Sequence, residues 1–262
     1  MSEVLTYTVE DGIAQVILNR PEKYNALSTQ LFEALANTGE AIKKDNSVRV
    51  VVLSGSGGNF CAGLDMENFT SGVLNDSLQP RSHGLTNLFQ HVAWVWHEIE
   101  VPVIAAIQGV CLGGGLQIVS GADMRYVHPE SKLSIREIHW GLVPDMAGTQ
   151  LWGHFVREDI LRELTYTGRM FSGEEAGQFG FATRLCENPL EEALATAKEI
   201  AGKNPHAIRG CKRLINNQLS LSAEDGLMQE SVEQDELIGS PNQLEAIMAN
   251  FEKRAPNFAD PE

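Results

Sequence analysis

The chain is poor in the features that mark several common protein classes. Its 262 residues hold four cysteines, Cys61, Cys111, Cys186 and Cys211, widely spaced and with no C-x-x-C pair. That spacing argues against a zinc ribbon or a disulfide framework and fits free thiols in a reducing compartment. Basic residues are scarce: 20 Lys and Arg stand against 35 Asp and Glu, a formal charge of −15. Such a surface repels the phosphates of nucleic acids and anionic lipids, so neither is an expected partner. No run of about eighteen uncharged apolar residues occurs, so no membrane span is expected. The start, Met1-Ser2-Glu3-Val4, lacks the basic segment and apolar run of a signal peptide, so a cytoplasmic location is expected. No Gly-Lys-Ser/Thr follows a glycine cluster, and no Gly-x-Gly-x-x-Gly leads to a distant ribose acid, so P-loop and dinucleotide sites are disfavoured. Ser54, Ser56 and Ser134 lack a Gly-x-Ser-x-Gly context. The seven histidines, His139 and His154 among them, fall in no triad spacing, and no His/Cys/acid cluster suggests a metal.

What is present is ordinary globular material. Hydrophobic residues make up 43%, and a chain of this length buries roughly 70–75% of its unfolded surface without staples. Leu5 to Glu10 and Ile13 to Leu18 read as strands joined by the hairpin turn Asp11-Gly12. Ser28 is a plausible cap for a helix running to about Lys44, with Leu31, Leu35 and Ile42 on its apolar side. Val50-Val51-Val52-Leu53 is continuously apolar and mostly β-branched, as in a strand buried on both faces. A helix over Leu85 to Glu98, strands over Val101 to Ile107 and Asp123 to Val127, and a helix from Leu116 follow. Residues 66–83 read as a polar loop. From about residue 157 the pattern is mostly helical, and the last sixty or so residues show no strand signal. The class is α/β with a helical C-terminal part.

Two glycine turns carry chemistry. Each follows a buried strand: Phe60-Cys61-Ala62-Gly63-Leu64-Asp65 and Gly109-Val110-Cys111-Leu112-Gly113-Gly114-Gly115. Glycine lets backbone approach a ligand closely, and two strand ends each offering a backbone N–H are what a two-donor oxyanion hole requires. A tight strand–helix turn explains one glycine triplet equally well; the combination is more specific than either half.

With these turns go Asn19-Arg20-Pro21, Asn25-Ala26-Leu27, Pro102-Val103-Ile104-Ala105-Ala106-Ile107-x-Gly109, Gly141-Leu142-x-Pro144 and Gly148-Thr149, in order over residues 19 to 149. The sequence resembles the crotonase (enoyl-CoA hydratase/isomerase) family. The resemblance implies a spiral of ββα repeats, with a core over 1–200 and a helical trimerisation region over 201–262. It implies an acyl-CoA thioester as partner, with CoA belonging to the substrate and no resident cofactor or metal. It implies a homo-oligomer, a trimer or a dimer of trimers. By motif matching, the oxyanion donors are the N–H groups of Leu64 and Gly114. Ala62, Gly63, Leu64, Asp65, Gly113, Gly114 and Gln117 line the thioester and CoA. Because CoA is a polyanion and the chain is acidic, a local basic spot is expected at the pocket mouth, with Arg20 and Lys23 as candidates. Arg20 is alternatively a structural partner for an acid.

The acids decide the reaction. The resemblance places the family's first hydratase glutamate at Gln117, its second at Glu137, and a carboxylate used by dienoyl-CoA isomerases at Asp145. An amide does not titrate near neutrality, so Gln117 is no general base. Glu137 is the expected base and Asp145 its helper, either with a raised pKa in an apolar pocket. Double-bond isomerisation of enoyl- or dienoyl-CoA is thus expected ahead of hydration by Glu137 alone, dehalogenation by Asp145, or non-catalytic acyl-CoA binding. The plainer readings are a surface glutamate on a strand for Glu137, a helix residue for Gln117, and an acid in a first helical turn for Asp145.

Overall fold

A computed structural model describes residues 4–67 and 77–261. Residues 68–76, half of the expected loop at 66–83, lie outside them. The chain opens with the hairpin β1 (Leu5–Glu10) and β2 (Ile13–Leu18), paired antiparallel. Asp11 and Gly12 both take positive φ, +50° and +75°, the turn whose twist matches that of the strands. Ser28 caps α1 (Thr29–Ile42) by accepting a hydrogen bond from the Leu31 N–H. Then come β3 (Val50–Gly55), α2 (Leu88–Glu98) with an Asn87–Gln90 capping box, β4 (Val103–Ile107), β5 (Val110–Leu112), α3 (Gly114–Ser120), β6 (Met124–Val127) and β7 (Lys132–Ser134). The expected helix over 85–98 therefore starts later, because Asn87 takes extended backbone and caps it.

The large sheet runs β1-β2-β3-β4-β6-β9, where β9 is Arg184–Leu185, and it is parallel from β2 onward. A second sheet, β5-β7-β8 with β8 at Phe171–Ser172, stands beside it. The turns of the spiral leave the large sheet for the small one, or for the parallel bridges Leu27↔Leu64 and Cys61↔Cys111, before the next helical segment. The alternation of β3 and β4 explains their continuous apolarity. Val51, Leu53, Val103 and Ala105 enter the main core with Phe32, Leu35, Val92 and Trp96. Val50, Val52, Ile104 and Ala106 face the opposite way, onto Ala193, Ala197 and Ala201 of α7 (Pro189–Ala201).

Short elements occupy 137–167: a 3-10 turn at Glu137–Trp140, α4 (Gly148–Leu151) and α5 (Glu158–Thr167); α6 (Gly173–Phe179) follows. The C-terminal part is α8 (Pro205–Asn217), α9 (Ala223–Leu237) and α10 (Pro241–Glu252), and among the described residues no strand follows Leu185. Lys212 staples α8 to the core. Its ammonium donates to Trp96 O, Val101 O and Asp123 Oδ2, at 3.1, 3.0 and 2.8 Å. Among the described residues no helix is long and apolar enough to cross a membrane.

Candidate active site

The two glycine turns meet. Cys61 and Cys111 bridge in parallel, with Cys61 N–H donating to Val110 O and Leu112 N–H to Cys61 O. This brings the segment Ala62–Leu64 against Leu112–Gly114. Gly63 has φ +94°, and a Cβ there would lie 3.0 Å from Leu112 O and 3.9 Å from Gly114 N. Glycine is thus required twice over, by backbone conformation and by contact. The N–H groups of the turns are not equivalent. Ala62 N–H donates to Tyr24 O and Gly113 N–H to Ser134 O. Among the described residues, the N–H groups of Leu64 and Gly114 have no such backbone acceptor. Leu64 is held in place on both sides, since Leu27 N–H donates to Gly63 O and Asp65 N–H to Leu27 O.

Both turns open on a cavity of about 530 Å³. Its walls include Lys23, Tyr24, Phe32, Ala62, Gly63, Leu64, Asp65, Phe89, Leu112, Gly113, Gly114, Arg136, Glu137, Trp140 and Met146. Phe32 and Phe89 meet edge to face, ring centroids 4.9 Å apart. The sequence motifs mark the polar side of this space. They leave unmarked its aromatic and thioether wall, because Phe32 and Phe89 sit on helix faces that read as ordinary core. A second cavity of about 450 Å³ lies between α8 and the end of α3. Its lysine, Lys212, has all three donors spent on the protein, so it offers no free cation.

Glu137 enters the first cavity from the 3-10 turn, not from a strand. Its Oε1 accepts a hydrogen bond of 2.6 Å from Gln117 Nε2, while Oε2 is buried with no protein partner. Burial pushes its pKa above the usual carboxylate range. The nearby Asp145 charge adds to the rise, and the Gln117 hydrogen bond partly opposes it. Gln117 is fully buried on α3, and its Oε1 accepts from Met146 N–H at 2.9 Å and Gly148 N–H at 3.0 Å.

The structure corrects one reading of Asp145. This residue does not stand in a first helical turn. Ala147 takes left-handed backbone, φ +65°, as the N-cap, so α4 starts at Gly148. Met146 beside Asp145 stands on the cavity wall, and Asp145 adds its charge to the surroundings of the Glu137 carboxyl. Its side chain reaches the surface of this single chain, but the surrounding protein still raises its pKa by desolvation. Asp65 lines the cavity and is also tied to the framework. Arg20 Nη2 donates to Asp65 Oδ2 at 2.8 Å, and Arg20 Nη1 to Ala26 O. Burial alone would raise the Asp65 pKa, but the Arg20 hydrogen bond and charge outweigh it and lower it. Arg20 is therefore a structural pin, and only Lys23 of the two basic candidates remains on the cavity wall. Lys23 is half-exposed and pairs with Glu67 at 3.0 Å.

The enoyl-CoA hydratase/isomerase family model matches residues 8–261. The chain belongs to the enoyl-CoA hydratase/isomerase family. A peroxisomal Delta(3,5)-Delta(2,4)-dienoyl-CoA isomerase of Arabidopsis thaliana is 30% identical over 98% of this chain and 96% of its own length. A probable mitochondrial enoyl-CoA hydratase 2 of the same plant is 31% identical over 95% of this chain and 82% of its own. The crystal structure of an enoyl-CoA hydratase from Mycobacterium tuberculosis H37Rv superposes with a TM-score of 0.87 at 26% identity, covering 98% of this chain and 99% of that one. The crotonase fold expected from the motifs is the fold of this chain. Its relatives include both isomerases and hydratases, so membership gives acyl-CoA chemistry and leaves the reaction to the site.

Proposed function

We propose that this crotonase moves a double bond in an enoyl- or dienoyl-CoA, with Glu137 as the proton carrier. The observation that supports this reading is the state of the Glu137 carboxyl on the cavity wall. One oxygen is held by an amide and the other is buried without a protein partner. A second carboxylate to share a water is missing at position 117, where the amide is locked by three hydrogen bonds.

The thioester carbonyl oxygen would lie between the N–H groups of Leu64 and Gly114. Glu137 removes a proton from the carbon next to the carbonyl, and the electron pair moves onto that oxygen as a dienolate. The two donors stabilise the charge where it develops, each worth about 3–4 kcal/mol of barrier. Glu137, now protonated, returns the proton two carbons further along, and the enolate collapses to the conjugated thioester. No water is consumed and the same carboxylate is restored. For a 3,5-dienoyl substrate a protonated Asp145 delivers its proton to the far end of the diene, and the proton held by Glu137 then passes back to Asp145, so both acids are restored. Ala62, Gly63 and Gly113 shape the backbone around the thioester, and Lys23 is the local cation for CoA.

The test is direct. Incubation with 3-enoyl-CoA and with 3,5-dienoyl-CoA, followed by ultraviolet absorbance, is expected to show conjugation with at least one. Glu137→Gln is expected to abolish it, and a wild-type rate in that variant removes the reading. The second reading is hydration of 2-enoyl-CoA, favoured by the unpartnered Oε2, which could hold a water. A water adduct detected by mass spectrometry and lost in Glu137→Gln would select it.

The active form is a homo-oligomer in this reading, a trimer or a dimer of trimers. Helix α9 supports it: none of its fifteen residues is buried, and Leu227, Met228 and Val232 are at least half-exposed. Residues 1–200 then form the catalytic core and 201–262 the assembling region.

A further inference from the structure

Gln117 has no acid–base chemistry, yet it is the most completely committed polar side chain at the site. Its Oε1 accepts two backbone N–H groups, those of Met146 and Gly148, on either side of the left-handed Ala147. Turning the amide over would aim its N–H2 at those two donors, so its orientation is fixed. The N–H2 therefore has to point at Glu137, and it does so at 2.6 Å. A donor so placed favours an acceptor-only partner, the ionised carboxylate. It also occupies Oε1 and leaves Oε2 as the one oxygen free of the protein.

We propose that Gln117 is the positioning residue of the base: it holds Glu137 ionised, fixes Oε2 as the oxygen that takes the proton, and ties the turn carrying Asp145 to Glu137. The proposal rests on the reading of Glu137 as the proton carrier. The geometry explains why a buried amide stands here. An apolar side chain would leave the Met146 and Gly148 N–H groups and Glu137 Oε1 without partners. A carboxylate would satisfy the two N–H groups but would set a second negative charge against Glu137. The other charged groups facing Glu137 are Asp145, from the turn before α4, and Arg136, from its own segment. Arg136 Nη1 is turned to Gly168 O at 3.0 Å. Glu22, Lys23 and Asp65 complete the charges on the cavity wall.

The variants to compare are Gln117→Glu, which keeps an acceptor for both backbone N–H groups, Gln117→Met, of similar volume, and Glu137→Gln. The measurement is deuterium exchange at the carbon next to the thioester carbonyl of butyryl-CoA, as a function of pH. In the wild type the exchange rate rises with pH as Glu137 ionises. Both Gln117 variants are expected to move that rise to higher pH by about one unit or more, a loss of about tenfold in rate below the rise that is recovered above it. Glu137→Gln is expected to abolish exchange throughout. A rise unmoved in Gln117→Glu, with exchange still abolished in Glu137→Gln, overturns the positioning role and spares the base. A uniform fall in rate with no shift makes Gln117 merely structural and also overturns the proposal. Wild-type exchange in Glu137→Gln removes the underlying reading itself. Infrared titration of the Glu137 carboxyl in the ligand-free protein gives the same shift without turnover, and covers a variant too slow to assay.

Discussion

Arg20 Nη2 and Asp65 Oδ2 lie 2.8 Å apart across 45 residues of sequence. This pair joins the loop after β2 to the turn that carries the Leu64 N–H. Both side chains are nearly buried, 13% and 6% exposed, so the pair is little screened by solvent. Asn25 supports the same junction: its Oδ1 accepts from Arg20 N–H, and its Nδ2 donates to Ser56 O and Asn59 O. The framework behind the Leu64 turn is thus built from hydrogen bonds within the protein.

Removing Arg20 leaves a buried, unpaired carboxylate. Arg20→Met is expected to cost about 3 kcal/mol of stability, the low end for breaking a buried pair, in urea unfolding at neutral pH. Asp65 has a lowered pKa, so its contribution is present above the unfolded value of about 3.9 and is lost as pH falls through the folded one. The difference between wild type and Arg20→Met should therefore shrink in acid. An equal gap at neutral pH and at about pH 3 would show that the pair carries no such linkage.

Glu137 works in the opposite sense. Its raised pKa means that ionisation is harder in the folded protein than in the unfolded chain, so the ionised carboxylate costs stability at neutral pH. Glu137→Gln, whose carbonyl can still accept from Gln117, is expected to raise Tm at neutral pH while abolishing exchange. That gain should vanish below about pH 4, where both folded and unfolded carboxyls are protonated. Calorimetry at the two pH values checks it, and a Tm gain independent of pH counts against a strained, ionised base.

The Leu64 turn can be displaced without touching an acid. Gly63→Ala forces a side chain into φ +94° and against Leu112 O at 3.0 Å. Activity is expected to fall by about 100-fold or more, as when an oxyanion donor is lost, with the fall mainly in kcat. Gly153→Ala, where a Cβ meets nothing within 4 Å and φ is not positive, is the matching control. Equal rates for the two variants would rule out Leu64 N–H as a donor.

The exposed face of α9 predicts an assembly. Val232→Glu, at a position half-exposed in the single chain, is expected to weaken a homotrimer seen by light scattering in the wild type. A monomeric wild type would leave α9 bare and end the idea.

Much of this arrangement is legible from local rules. Asp11-Gly12 makes the hairpin turn, Ser28 caps α1, and the β-branched run Val50 to Leu53 is buried on both faces, as residue chemistry requires. The two glycine turns and Glu137 stand on one cavity, as the motifs imply. Other features depended on context. Glu137 left its expected strand because the chain tightens into a 3-10 turn ended by Gly141 at φ +71°. Asp145 missed its helix because Ala147 adopts left-handed backbone, which no propensity assigns to alanine.

The sequence by itself determined the family, the identity of the one carboxylate and one amide at positions 137 and 117, and the glycines that let backbone reach a ligand. Only the tertiary structure decided that the amide faces the carboxylate, that Arg20 is spent on Asp65, and that Asp145 stands before a helix and not in its first turn. The reason is one of range. Turns, caps and burial patterns are written over two to eight neighbouring residues. The hydrogen bonds that set the site join Gln117 to Glu137, Gln117 to Met146 and Arg20 to Asp65, at separations of 20, 29 and 45 residues. Such contacts exist only once the spiral has closed.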